Sequence, residues 1–390
     1  MNSAVYAVRC ETYDQIEEKL FELLGMMGGI EPFITPGTTA ALKVNLLSAA
    51  APEKAVTTHP SLAAAVGAQV IAAGARPLII DSPTGAYSHS RSTLEKVYRA
   101  AGMTTAASQA GLSLNFNTEY QAISFPEGKL IKHFEIMSPL LEAGSILNLC
   151  KLKTHALMVM TGAVKNCFGA VPGRIKPGYH AKLQQRELFA QMLLDLADCL
   201  APRLSIMDAV VGMEGDGPGN GDPRQVGLLL AAENPLALDV AAAEIMGLER
   251  EDNPLLLEAE NQGRGPTHLE EIELVGITPE ELRVEGFVLP STHSPMAQLR
   301  SANWWQNILY PLFRTSMTLK PRVVPEDCIA CQDCVNICPM EVIHTVEDRD
   351  GRPHAWIEDQ GCIRCYCCHE TCPEDAIELW KSPLYRLVVG

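Results

Sequence analysis

Short apolar runs alternate with segments of helical period along the first 240 residues. Residues 4–9 (Ala-Val-Tyr-Ala-Val-Arg) read as a strand, and Ile16, Leu20, Leu23, Leu24 and Met27 recur at helical spacing within 12–27. Residues 41–47 form the next strand and carry Lys43 and Asn45. Thr57-Thr58-His59-Pro60 then opens a helix, with Thr58 as cap and proline in the first turn, that runs to about Ala73. Gly74 leads into the strand 77–81, which ends at Asp81. A second such section has a buried strand at 145–150 and the polar stretch Lys151-Leu-Lys-Thr-His155. A loop entering a helix at 161–169 and a long helix at 182–200 follow. Strands at 204–211 and 227–232 and a helix from Leu236 complete the section, with fainter strands at 272–275 and 283–289. This β-α-β succession predicts an α/β fold with a mainly parallel sheet, in one or two lobes over residues 1–295. In such sheets ligands gather at the carboxyl ends of the strands.

The remaining chain reads differently. Residues 296–322 carry Trp304, Trp305, Leu309, Leu312 and Phe313 at spacings that fit one helical face, with Arg300, Arg314, Lys320 and Arg322 around it. A linking helix is the expectation, and a membrane-surface helix the alternative. From Cys328 to Cys372 one spacing occurs twice: Cys328-x-x-Cys331-x-x-Cys334-x-x-x-Cys338-Pro339 and Cys362-x-x-Cys365-x-x-Cys368-x-x-x-Cys372-Pro373. That is the spacing of bacterial two-cluster ferredoxins, in which the fourth cysteine of each run completes the other cube. Cys328, Cys331, Cys334 and Cys372 are expected to hold one 4Fe–4S cluster, and Cys362, Cys365, Cys368 and Cys338 the second. Zinc knuckles use paired Cys-x-x-Cys and fit less well. A small α+β ferredoxin-like domain is therefore expected over 323–382.

Composition narrows the classes. A chain of 390 residues is too long for a ferredoxin module alone, and 47% hydrophobic content suits a substantial core. A net charge of −16 argues against nucleic acid, which is bound through clustered Lys and Arg. The start, Met1-Asn2-Ser3-Ala4-Val5-Tyr6, lacks the pattern of a signal peptide. No apolar run is long enough for a transmembrane segment. Thirteen cysteines with ferredoxin spacing imply reduced ligands, hence a cytoplasmic protein of an organism living with little oxygen.

One window inverts the charge. Gly144 to Arg186 holds no Asp or Glu, but carries Lys151, Lys153, Lys165, Arg174, Lys176, Lys182 and Arg186 with His155 and His180. Such residues on neighbouring loops focus positive potential on an anionic ligand, carboxylate or phosphate, against the alternative of dispersed solvated lysines. His59, His89, His155 and His180 are candidate proton donors or metal ligands. The glycine run 212–221 lacks both the dinucleotide and the Walker order. Its Glu214 and Asp216, with Asp208, suit either a hard cation or a metal-free acidic turn. Cys150, Cys167 and Cys367 read as inert thiols unless electropositive surroundings activate them.

Lys43-Val-Asn, Thr58-His59-Pro60, Asp81-Ser-Pro, Lys151-Leu-Lys-Thr-His155, Thr161-Gly-Ala-Val-Lys165-Asn166 and Gly212-Met-Glu-Gly-Asp-Gly-Pro218 together resemble the domain-of-unknown-function 362 family over residues 4–290. The resemblance implies an α/β domain served by low-potential clusters, since members are often fused to such a ferredoxin. A fainter likeness is to the nickel-pincer lactate racemase family, in which a histidine, a lysine ten residues later and a further histidine surround the cofactor. His155, Lys165 and His180 match that order, whereas the sequence around His89 departs from it. The expectation is an iron–sulfur oxidoreductase fed by a soluble low-potential electron donor or acceptor protein. Lys43, Lys153 and Lys165, with Asn166, would anchor an anionic small molecule or a further cofactor, and His155 or His180 would act as general acid. The alternative is a non-enzymatic electron-transfer, cluster-carrier or redox-sensing protein that docks a partner.

Overall fold

The fold is seen in a computed structural model, and the residues described are 3–84, 89–293 and 319–382. The large domain contributes β1 (Ala4–Arg9), β2 (Thr39–Lys43), β3 (Arg76–Ile80), β4 (Ser113–Leu114), β5 (Tyr120–Ser124) and β6 (His133–Met137). It continues with β7 (Ser145–His155), β8 (Val159–Thr161), β9 (Leu204–Glu214), β10 (Asp222–Ala232) and β11 (Glu273–Val275). The C-terminal part adds β12 (Lys320–Val323), β13 (Ile343–Glu347), β14 (Pro353–Ile357) and β15 (Ile377–Trp380).

Both α/β sections join one sheet of order β11-β1-β10-β9-β7-β2-β3-β4, with β8 paired to β7. β9, β7, β2, β3 and β4 run parallel, while β10 is antiparallel to β9 and β1. Strands buried on both faces read as continuous apolar runs, which explains Ala40-Ala41-Leu42 in β2 and Ile146-Leu147 in β7. Leu147 and Leu149 face a core shared with Leu20, Leu62 and Leu94. Cys150 and Leu152 point the other way, towards Phe189, Leu193 and Leu238. Helices therefore cover both faces, and the sheet is the middle of three layers.

Several local expectations shift. Thr58 does not cap the helix Pro60–Ala72; His59 does, its Nδ1 accepting the Ser61 N–H at 3.3 Å. The Thr58 hydroxyl instead accepts the Asn45 N–H at 2.9 Å and donates to the Leu149 carbonyl at 2.7 Å, tying β2 to β7. The helix expected over 182–200 is two, Lys176–Lys182 and Arg186–Leu200. No strand forms over 283–289. The hairpin β5–β6 and the helices Arg91–Ala100 and Met103–Ala110 lie between the two sections, where no element is anticipated. Most of the expected linking helix, residues 294–318, lies outside the described residues. Lys320 and Arg322 belong to β12, which pairs with β15.

The cysteine-rich part folds as two antiparallel pairs, β12–β15 and β13–β14, with helices Asp333–Ile337 and Cys367–Thr371. Its duplication reaches the backbone. Ala330, Gln332 and Glu341 have positive φ, as do Arg364, Tyr366 and Asp375 at the matching positions of the second copy. Among the described residues no helix is long and apolar enough to cross a membrane.

Candidate functional site

The parallel strands β2, β3, β7 and β9 end at one edge, and their carboxyl ends surround a cavity of about 90 Å³. Lys153, His155, Lys165, Asn166 and His180 line it, and Ile337, Cys367 and Glu370 of the cysteine-rich part close it.

His155 is the last residue of β7. Its Nδ1 accepts the N–H groups of Leu157 at 3.0 Å and Met158 at 3.3 Å, which places the ring proton on Nε2. Nε2 lies 3.4 Å from Glu370 Oε1. Burial, followed by the charge of Lys165, holds this histidine well below its ordinary pKa. His180 stacks on Phe189 with centroids 4.5 Å apart, and its Nδ1 has no hydrogen-bond partner. Burial, then Lys165, lowers its pKa to about 3. Both imidazoles are thus neutral at neutral pH.

Lys165 sits on the short helix Ala163–Asn166, whose leading N–H groups from Ala163 and Val164 donate to the buried carboxylate of Asp239. A Cβ on Gly162 would fall 2.0 Å from Asp239 Oδ1, so only glycine admits this anchor. Burial raises Asp239 to about 7, partly opposed by those two hydrogen bonds. Among the described residues nothing hydrogen-bonds to or ion-pairs with the Lys165 ammonium. Burial lowers it to about 8, and Glu370 is the strongest influence in the opposite direction.

The other lysines are already engaged. Lys153 donates to Asn45 Oδ1 at 3.0 Å and to the Val56 carbonyl at 2.7 Å. Asn45 donates to Asn166, and Asn166 to Asn148, giving a buried amide chain whose members satisfy one another. Lys176 is held by the carbonyls of Ser82 and Pro83, and burial lowers it to about 7. Lys43 stands behind the cavity, 2% exposed, with its ammonium 2.7 Å from Asp81 Oδ1. A Cβ on Gly169 would meet both members of that pair, at 2.0 and 2.4 Å. Lys151 forms a second buried pair with Asp208 at 2.9 Å, joined by the Tyr13 hydroxyl.

The cysteines gather in two cages. Cys328, Cys331, Cys334 and Cys372 line one, and Cys338, Cys362, Cys365 and Cys368 line the other, which are the crossed sets expected from the spacing. Backbone N–H groups of Ala355 and Ala376 donate to the sulfurs of Cys328 at 3.5 Å and Cys372 at 3.2 Å. Four thiols per cage, apolar walls and N–H···S bonds fit the donor set of an iron–sulfur cube. Cys367 lines the second cage and also the cavity.

A family described as a domain of unknown function, DUF362, matches residues 40–244, just over half of the chain. The thylakoid-associated protein sll1697 of Synechocystis sp. is 32% identical over 305 residues, covering 76% of this chain and 90% of its own length. The chain belongs to the DUF362 family. In this DUF362 protein a 4Fe-4S dicluster domain matches residues 327–376, and the chain is an iron–sulfur electron-transfer protein. The lactate racemase apoprotein of Thermoanaerobacterium thermosaccharolyticum aligns with a TM-score of 0.39 at 12% identity, over 62% of this chain and 56% of that one. A likeness so distant carries no argument here.

Of the residues singled out from the sequence of this DUF362 protein, His155, Lys165, His180, Lys153 and Asn166 meet at the cavity, whereas Lys43 is one layer back. His59 stacks on Tyr13 away from the cavity, and among the described residues His89 lies 3.5 Å from Ser82 Oγ. Asp216 and Glu214 are used by the protein itself, on Ser291 and on the Val288 N–H. Burial drives the thiols of Cys150 and Cys167 upward, the latter to about 12, so neither is a ready nucleophile. Asp239 and Glu370 escaped sequence reasoning because each acts on a partner remote in the chain, and Asp81 was named as a strand end without its partner Lys43.

Proposed function

We propose that this protein is an iron–sulfur oxidoreductase in which a 4Fe–4S cluster in each cage supplies single electrons of low potential to an anionic substrate or cofactor in the cavity. The observation that carries this reading is the shared wall: Cys367, next in sequence to the cage residue Cys368, also faces the cavity. Lys165, which among the described residues has no ion-pair partner, attracts and orients the anion. His155 offers a fixed Nε2–H for hydrogen bonding. Because both imidazoles are held neutral, the proton donor is better assigned to Lys165, whose value of about 8 lies near working pH. A soluble donor protein in a reducing, cytoplasmic setting completes the reading.

The test is anaerobic reconstitution and titration with dithionite, followed by mixing with a panel of small carboxylates and phosphates. The expected result is two low-potential paramagnetic signals, one of which is reoxidised by a member of the panel. Absent signals, or reduced clusters indifferent to every anion that binds, would sink the proposal. Stable complexes with a protein partner and an unresponsive cavity would favour the carrier or sensor role instead, for which the exposed Ile329 beside the first cage is the supporting feature.

A further inference from the structure

The cavity belongs to the large domain except at one side. There the helix Cys367–Thr371 of the cysteine-rich part brings in Glu370, whose side chain is 12% exposed. The helix is held down by the glycine run that the sequence left without a role. Asn220 Nδ2 donates to the His369 carbonyl at 2.8 Å, and Gly219 lies so close that a Cβ would stand 2.7 Å from the Glu370 carbonyl oxygen. Glu370 is thereby pressed into a space lined by Lys153, Lys165 and Lys176, in which the other carboxylate, Asp81, is already paired with Lys43. Its Oε1 approaches His155 Nε2 at 3.4 Å yet forms no hydrogen bond. It forms no ion pair with Lys165, although it is the largest opposite charge acting on that ammonium. A buried carboxylate that neutralises a cation without touching it marks a position that a better-fitting carboxylate would take.

We propose that Glu370 is a tethered competitor: a carboxylate of the chain itself that compensates Lys165 across the cavity and is displaced when a small carboxylate anion binds between Lys165 and His155. This rests on the proposed anion site but not on electron transfer. Two like charges in one partly desolvated space repel, so an incoming carboxylate binds only as Glu370 withdraws. Because Glu370 rides on the helix that begins beside Cys368, its withdrawal shifts the wall shared with the second cage. Occupancy of the cavity is thus coupled to the position of that cage.

The experiment is calorimetric titration of the reconstituted full chain with acetate, at matched ionic strength, on the wild type, Glu370→Gln, Glu370→Asp and Lys165→Met. Glu370→Gln keeps the shape and removes the charge, and is expected to bind acetate at least tenfold more tightly than the wild type. Glu370→Asp, with its carboxylate drawn back by one methylene, is expected to fall between them. Lys165→Met is expected to abolish binding. Unchanged or weaker affinity in Glu370→Gln, binding that survives Lys165→Met, or no binding by any variant would each overturn the proposal. Iron content and the circular dichroism of every variant must match the wild type, and Glu370→Asp keeps the test open if Glu370→Gln misfolds. Tighter acetate binding with redox-silent clusters would leave this inference standing while removing the oxidoreductase reading.

Discussion

The two cages are copies in sequence and unlike in surroundings. Both are built from the same cysteine spacing and the same left-handed backbone positions. Yet the cage of Cys328, Cys331, Cys334 and Cys372 opens to solvent, with Cys331 exposed and Ile329 61% exposed beside it. The cage of Cys338, Cys362, Cys365 and Cys368 backs onto the large domain, where Cys367 lines both the cage and the cavity and Ile337 and Glu370 add to the cavity wall. Duplication supplies two equivalent cages, and docking leaves one facing solvent while it sets the other against the cavity.

The sharpest way to break the comparison is to remove a ligand from each cage in turn. Cys365→Ser should halve the iron content and abolish electron delivery to the cavity, while Cys331→Ser should halve the iron and leave the inner signal reducible by dithionite. Paramagnetic resonance of the two proteins separates them, and identical behaviour would dissolve the distinction.

A second prediction concerns protons. Reduction of the inner cage adds negative charge beside Lys165 and so favours its protonated form. Below about pH 8 the lysine is charged in both redox states and the inner potential should be flat. Above that value reduction takes up a proton, and the potential should fall with rising pH by at most ~59 mV per unit. The outer couple should not respond. Redox titrations from neutral to alkaline pH, repeated on Lys165→Met, which should flatten the inner curve, decide the matter.

Gly219→Ala should push the helix Cys367–Thr371 off its seat, since the new Cβ meets backbone that cannot swing aside. A loss of about 1–3 kcal/mol is expected in denaturant unfolding, with faster hydrogen exchange over that helix and none over Asp333–Ile337. The smallest effect belongs to Ile329→Lys at the exposed mouth of the outer cage. It should raise the KM for a protein donor roughly fivefold and leave dithionite reduction untouched, a split visible in steady-state kinetics.

The chain's own pattern went far. Strand runs such as 145–150 and 204–211 were legible because strands buried on both faces must be apolar, and the crossed cysteine sets followed from spacing alone. The residues meeting at the cavity were also legible, since polar positions at the ends of parallel strands converge by topology. What the pattern could not hold was compensation. The window from Gly144 to Arg186 looked like a basic patch because the counter-charge of Lys151, Asp208, lies on the neighbouring strand β9, far away in sequence. Burial further discharges the two histidines, a consequence of packing that no local motif records.

The sequence by itself determined the layered α/β fold, the duplicated cysteine spacing and several of the residues that line the cavity. Only the tertiary structure decided that Lys165 stands without an ion pair, that Glu370 faces it from another module, and that one cage rather than both adjoins the cavity. The physical reason is that spacing fixes short-range geometry, whereas net charge and access inside a protein depend on which distant surfaces are pressed together.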